Sequence, residues 1–132
     1  MEKRQVGALG EKIALSLLRS KGYKILKKNF HTRFGEIDIV AQDGDTLVFV
    51  EVKTRHGRAF GLPEEAVGKK KIRHLEKASQ LFRISHPNLP SGERIDVVSV
   101  ELDKNDQVLR KEIIKKCPGR DFQSEALNFC HI

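Results

Sequence analysis

Three charged residues lie inside two otherwise apolar runs of the sequence. Asp38 belongs to the run at residues 36–42, and Glu51 and Lys53 belong to the run at residues 46–54. Burial penalises the charge of such carboxylates, and they repel one another unless a cation compensates. Two carboxylates suit Mg²⁺ or Mn²⁺ together with water and a substrate phosphate, and a lysine can orient water or neutralise transition-state charge. These three residues therefore predict metal-assisted hydrolysis of a phosphodiester bond.

A simpler interpretation of the same residues is a cross-strand ion pair. Lys53 could pair with Glu36 or Asp38, which would contribute well under about 1 kcal/mol if the pair were exposed. We favour a functional site because the charges interrupt hydrophobic strands, where burial would oppose them.

Asp43-Gly44 between the two runs is a strong hairpin signal. A loop of these two residues predicts Asp38 opposite Phe49 and Glu36 opposite Glu51. Side-chain alternation then gives one wholly apolar face and one mixed face. The predicted mixed face carries Glu36, Asp38, Val40, Leu47, Phe49, Glu51 and Lys53, and the apolar face carries Ile37, Ile39, Ala41, Val48, Val50 and Val52. The charged members collect at the end away from the turn, which predicts an open cleft there.

Hydrophobic periodicity predicts the elements around this hairpin. Because two strands separated by a helix favour a parallel crossover, whereas the hairpin is antiparallel, we expect an α/β fold with a mixed central sheet flanked by helices. A single domain is predicted at residues 1–114, followed by an irregular or weakly helical tail at 115–132. The predicted elements are a helix at 6–21, a short strand at 23–30, a helix at about 64–83 with a possible break at Gly68, and strands at 95–102 and 108–114.

The composition indicates where the protein acts and on what. Its net charge of +7 and pI near 9.6 favour polyanions such as nucleic acid. No run approaches the roughly 18 apolar residues that cross a bilayer, so we expect a cytoplasmic protein without membrane association. Cys117 and Cys130 form no CxxC pair, and we interpret them as free thiols.

The segment at residues 69–77 is strongly basic. It holds five Lys and Arg residues against one Glu, and phosphate contacts from such a helix would give salt-sensitive, sequence-independent binding. A solvated helix face is the alternative. The candidate nucleic-acid-binding residues are Lys69, Lys70, Lys71 and Arg73 in this segment, with Arg33 and Arg55 near the ends of the hairpin.

Two resemblances extend these predictions. Asp38, twelve intervening residues and then Glu51-Val52-Lys53 resemble the D-x(n)-E-x-K motif of the PD-(D/E)XK nuclease superfamily, which includes restriction endonucleases and archaeal Holliday-junction resolvases. The blocks "GEKIALSLLRSKGYKIL", "RFGEIDIVAQDGDTLVFVEVKTR", "EEAVGKKKIRHL" and "RIDVVSVE" resemble the YraN-type family of small bacterial proteins. Ile37 stands where the superfamily motif has proline.

The resemblances imply a restriction-endonuclease-like fold and roles for individual residues. They imply Asp38 and Glu51 as metal ligands, Lys53 as the catalytic lysine, and Glu11 as a further support for the metal. The expected activity is that of an endonuclease for DNA, with branched or structured substrates by analogy. A non-catalytic nucleic-acid-binding protein and a protein-interaction module are the alternatives, and a homodimer and a monomer are equally compatible with the sequence.

Overall fold

A computed structural model describes residues 2–116 and 129–131 of the chain. The predicted order of helices and strands is present. The elements are helix α1 (Lys3–Ser20), strands β1 (Lys24–Thr32), β2 (Gly35–Asp43) and β3 (Thr46–His56), a 3₁₀ helix (Pro63–Ala66), helix α2 (Lys69–Ser85), and strands β4 (Gly92–Leu102), β5 (Val108–Lys116) and β6 (Phe129–His131). The predicted break at Gly68 separates the 3₁₀ helix from α2. In the part of the chain that the structure describes, no helix is long and apolar enough to cross a membrane.

The strands form one sheet in the order β1-β2-β3-β4-β5-β6. β3 and β4 pair in parallel because the chain crosses over between them through the 3₁₀ helix and α2. The other neighbouring strands pair antiparallel. This confirms the predicted α/β fold with a mixed sheet, and the arrangement is consistent with a restriction-endonuclease-like domain.

The two helices cover opposite faces of the sheet. Ala14, Leu17 and Leu18 of α1 pack with the β2 and β3 side chains predicted on the apolar face. Under α2, Phe82 makes edge contacts with the rings of Phe30 and Phe49. The apolar half of the mixed face is therefore covered by α2, as predicted, and its charged half lies beyond the start of that helix.

The hairpin register differs from the prediction by two residues. Asp43 pairs with Thr46, so the loop residues are Gly44 and Asp45 and not Asp43 and Gly44. Gly44 has a φ of +60°, which suits glycine as the first loop residue of a type II′ turn. A shift of two keeps every residue on its face. Asp38 is consequently not opposite Phe49, and continuing the observed register would place it opposite Glu51.

The predicted face of Ile37 is also wrong. Ile37 is fully buried in the core under α2, together with Val40, and not with Ile39 under α1. Simple alternation therefore fails around Asp38, at the point where the pairing of β2 with β3 ends.

The predicted tail contains some regular structure. β5 extends to Lys116, and β6 pairs with it at residues 114–116, so residues 129–131 are neither irregular nor helical. Residues 1, 117–128 and 132 lie outside the described residues, and the thiol predictions for Cys117 and Cys130 concern side chains that the structure does not describe. The division into a domain at 1–114 and a tail stays a prediction.

Candidate active site

Asp38 lies where strands β2 and β3 separate. The ladder between them ends at Ile39 and Val50, although both strands continue past these residues. The Asp38 carboxylate takes over as a hydrogen-bond acceptor, because the backbone N–H of Val52 donates to its Oδ2 at 2.8 Å. The side chain is thereby held between two diverging strands.

Glu51, on β3, is a buried carboxylate with an unsatisfied oxygen. The residue is only 5% exposed, and its Oε2 has no hydrogen-bond partner among the described residues. Burial, and then the charge of Asp38, raise the pKa of Glu51 to about 7, although Lys71 and Lys53 oppose the shift. The positive charges of Lys71 and Lys53 thus offset only part of the effect of burial on Glu51.

Helix α1 and strand β2 add two further carboxylates. One oxygen from each of Glu11, Glu36 and Asp38 lies within 4.8 Å of the others. Asn29, on β1, has a φ of +53°, and when its side-chain amide is oriented with the nitrogen toward this cluster, that nitrogen donates to Glu36 at 2.7 Å and to Glu11 at 3.1 Å. Burial and the charges of Asp38 and Glu36 raise the pKa of Glu11. The structure therefore brings Glu11 to Asp38, as the resemblance implied.

Glu36 and Asn29 are site residues that the sequence did not identify as such. Glu36 precedes Asp38 by two residues on the predicted mixed face, and this spacing was the available signal. Nothing in the local pattern marks Asn29, because its role depends on a left-handed backbone conformation, which asparagine tolerates better than most residues.

Lys53 lies two residues beyond Glu51 on β3 and is half-buried. Its positive charge lowers the pKa of both Asp38 and Glu51. Because burial is the larger influence, the pKa of Asp38 is nevertheless raised. Asp38 therefore interacts with Glu11 on one side and with Glu51 and Lys53 on the other, while the catalytic and metal-binding roles of these residues stay predictions.

The candidate nucleic-acid-binding residues differ in their surroundings. The Nζ of Lys71 lies 3.4 Å from Oε2 of Glu51, inside the carboxylate group. Lys70 and Arg73 are exposed, whereas Lys69 is half-buried. Arg33 is exposed and lies over the Phe34 ring, and Arg55 is half-buried on β3. Lys71 is therefore the candidate that contacts a carboxylate of the site, whereas Lys70 and Arg73 face solvent.

Comparison with known proteins identifies a family. Residues 10–100 match the uncharacterised protein family UPF0102. The chain belongs to the UPF0102 family. A UPF0102 protein of Syntrophomonas wolfei is 52% identical over 97 residues, which cover 74% of this chain and 84% of that protein. One of Caldicellulosiruptor saccharolyticus is 42% identical over 115 residues, covering 87% and 98%. One of Syntrophus aciditrophicus is 47% identical over 112 residues, covering 84% and 86%.

A polar network next to the carboxylates fixes the start of α2 in this UPF0102 protein. Glu64, in the 3₁₀ helix, accepts hydrogen bonds from Ser99 Oγ at 2.8 Å and from the two terminal nitrogens of Arg110 at 3.0 and 2.7 Å. Burial opposes ionisation of Glu64, but these bonds outweigh it and lower its pKa to about 2. Ser99 is the β4 neighbour of Lys53. The network therefore ties the segment before α2 to the sheet beside the site.

The donor set of the UPF0102 site fits a hard divalent cation. Glu11, Asp38 and Glu51 offer carboxylate oxygens, the ligand type that Mg²⁺ and Mn²⁺ prefer. The unsatisfied, buried Oε2 of Glu51 is the feature that a cation would complete. Burial, followed by the charge of neighbouring carboxylates, raises the pKa of all three groups. The positive charge nearby does not fully offset these effects.

Proposed function

We propose that this UPF0102 protein is a divalent-metal-dependent endonuclease that hydrolyses phosphodiester bonds in DNA. The observation that carries the proposal is the buried Oε2 of Glu51, which has no hydrogen-bond partner in the described part of the chain and lies beside Asp38. Keeping such an oxygen ionised costs stability unless a cation binds it. If Glu51 had only a structural role, no function would explain this loss of stability.

The chain's own residues have distinct parts in this proposal. Asp38 and Glu51 hold the Mg²⁺ or Mn²⁺, with Asp38 fixed by the Val52 N–H, and Glu11 supports the metal from α1. The metal, when bound, polarises the phosphate and makes water a better nucleophile at neutral pH. Lys53 orients the attacking water and offsets negative charge in the transition state.

Two features support nucleic acid as the substrate. The net charge of +7 favours a polyanion, and Lys70 and Arg73 are exposed at the start of the helix that carries Lys71. The Asp38, Glu51 and Lys53 spacing also resembles the motif of the PD-(D/E)XK nucleases. The analogy with Holliday-junction resolvases favours branched or structured DNA as the substrate. Many relatives of this fold act as dimers in which two sites cut two strands, so the analogy also favours a homodimer.

A second candidate is a nucleic-acid-binding protein of the same fold without turnover. Lys71 already lies near Glu51, and the Val52 N–H already satisfies one Asp38 oxygen. In that case the carboxylates serve to place Lys71, and no metal is required.

A cleavage assay separates the two candidates. Linear and four-way-branched DNA are incubated with Mg²⁺ or Mn²⁺ and with wild type, Asp38→Asn, Lys53→Met or the control Lys77→Met, whose exposed lysine lies further along α2. The nuclease proposal expects metal-dependent cleavage by wild type and the control and a loss of at least about 100-fold in the other two, the scale of one lost electrostatic contribution. Equal residual cleavage in all four proteins would indicate a contaminant. DNA binding without cleavage under any condition would support the second candidate.

A further inference from the structure

Lys71 directs its ammonium group at Oε2 of Glu51, a buried carboxylate oxygen without a hydrogen-bond partner among the described residues. Its Nζ is 3.4 Å from Oε2 of Glu51, which is within ion-pair range. The two side chains differ sharply in burial, because 37% of the Lys71 side chain is exposed against 6% for Glu51. Lys71 therefore reaches Glu51 from the solvent side.

The position of Lys71 is set by the segment that precedes it. Lys71 is the third residue of α2, and the 3₁₀ helix before α2 is tied to β4 and β5 by Glu64. Val67, between the two helices, is fully buried. The backbone of Lys71 is thus held close to the site, while its side chain has four rotatable bonds with which to change partner.

An ammonium group and a divalent cation compete for contact with the same carboxylate oxygen. Like charges at such separation repel strongly in a partly buried cleft, so binding of one displaces the other. Lys71 supplies positive charge beside Glu51 in the metal-free protein.

We propose that Lys71 is a place-holder for the metal and a ligand for the substrate phosphate after the metal has displaced it. This inference rests on the proposed function, because it requires a divalent cation at Glu51. Metal binding releases the Lys71 ammonium at the mouth of the cleft, where a phosphodiester oxygen can accept its hydrogen bonds. Metal and nucleic acid then bind with positive cooperativity, and each raises the affinity for the other by the same factor.

The first test compares Mn²⁺ affinity by titration calorimetry for wild type, Lys71→Met and Lys77→Met. Methionine keeps the length and apolar body of the side chain and removes the ammonium group. Lys71→Met should bind Mn²⁺ about tenfold more tightly than wild type, the size of one modest ion pair. Lys77→Met removes the same charge from the same helix and should stay within about twofold.

The second test uses wild type alone, so it does not depend on the folding of a variant. Lysines are acetylated briefly with and without saturating Mn²⁺, and the modification of each lysine is quantified by peptide mass spectrometry. Acetylation of Lys71 should increase several-fold with Mn²⁺, whereas that of Lys77 should not change.

The outcomes distinguish this inference from the proposed function. If wild type and Lys71→Met both bind no Mn²⁺, the metal-dependent function is wrong and the place-holder role is lost with it. If both proteins bind Mn²⁺ equally and Lys71 reactivity is unchanged, the metal site stands and the place-holder role is overturned. An equal gain in affinity for Lys77→Met would also overturn it, since the cause would then be general charge and not the contact with Glu51.

Discussion

Glu51 is subject to two opposing requirements, because burial favours its protonated form and the proposed metal site needs its ionised form. It follows Val50 on the central strand β3, and packing of that strand forces its carboxylate into the interior. Burial and Asp38 raise its pKa to about 7, so the group titrates near neutral pH. The folded protein thereby gives up stability to keep an anionic oxygen available in the cleft.

Glu51 should make the metal-free protein less stable as the pH rises. Because its pKa in the folded state, about 7, exceeds the usual 4.5, the folded state binds the proton more tightly over this interval. The stabilisation is complete below about pH 4.5 and is lost as the pH rises through 7, a change of about 3 kcal/mol. Urea unfolding at pH 5–8 in a chelator should show this decline for wild type and a much flatter profile for Glu51→Gln.

The control for that experiment is Glu76→Gln, which removes a carboxylate from α2 away from the site. Its profile should follow wild type. A Glu51→Gln profile that parallels wild type would mean that another group causes the pH dependence.

Helix α1 places Glu11 through an unusually close approach to the sheet. Gly10 is buried against β3, and a Cβ atom built on it would lie 1.8 Å from Oγ1 and 3.0 Å from Cβ of Thr54. Only glycine allows this separation between the helix and the strand. Glu11 is the next residue, so the same contact sets how far its carboxylate reaches toward Asp38.

Gly10→Ala should therefore destabilise the protein, although alanine favours helices. Overpacking against Thr54 is expected to cost about 1–3 kcal/mol. Gly7→Ala is the matched control, since no atom lies within 4 Å of the added Cβ one turn earlier, and it should stabilise by about 0.5–1 kcal/mol. Chemical denaturation of the two variants gives both values. A stabilising Gly10→Ala would show that α1 can move away from β3 at no cost.

The 3₁₀ helix fixes the position of α2 on the sheet, as the contact of Gly10 does for α1. Glu64 joins it to Ser99 and Arg110, and Arg110 also donates to Glu101, which is buried. A buried acid in such a network is stabilising only while its partners are present.

Glu64→Gln should lower stability by about 2 kcal/mol at pH 7, the value of charge-assisted hydrogen bonds. Because the pKa of Glu64 is lowered to about 2, its contribution is present above about pH 4.5 and is lost as the pH falls toward 2. The difference between wild type and variant should consequently shrink at pH 3. Thermal unfolding at pH 7 and pH 3 measures it, with Glu65→Gln, an exposed neighbour, as the control. A constant difference at both pH values would exclude the ionised Glu64 as its source.

Charge over the entire protein is the physical basis for expecting a polyanionic partner. The chain carries 25 Lys and Arg residues against 18 Asp and Glu, yet Glu11, Glu36 and Asp38 form one cluster and Glu51 interacts with Asp38. The remaining surface is more basic than the net charge indicates. In the proposed function, the negative charge of these acids would attract a metal, and the positive charge around them would attract phosphates.

Binding to duplex DNA should weaken steeply with salt. Removing two phosphate contacts from α2 with Lys70→Ala and Arg73→Ala should reduce the slope of log K against log salt by about 1–2. The double variant Lys3→Ala and Arg4→Ala removes the same charge from the exposed start of α1 and should reduce it less. Fluorescence anisotropy at 50–200 mM salt gives the slopes. Identical slopes for the two double variants would place the DNA elsewhere than at the start of α2.

The fold and the principal charged residues could be predicted because both depend on local pattern. Helical spacing identified α1, alternation and a turn identified the hairpin, and the crossover helix between β3 and β4 required a mixed sheet. Asp38, Glu51 and Lys53 stood out because a charge inside an apolar strand is visible without knowing its neighbours.

Tertiary structure alone decided the register and the contacts of the site. A two-residue loop at Gly44-Asp45 preserves the same alternation as one at Asp43-Gly44, so the pattern could not distinguish them. The contacts of Glu51 with Lys71, and of Glu36 with Asn29, join residues from different elements. Such pairs are fixed by where each helix and strand packs on the sheet. The sequence therefore identified which residues carry the charge, and packing determined which of them meet.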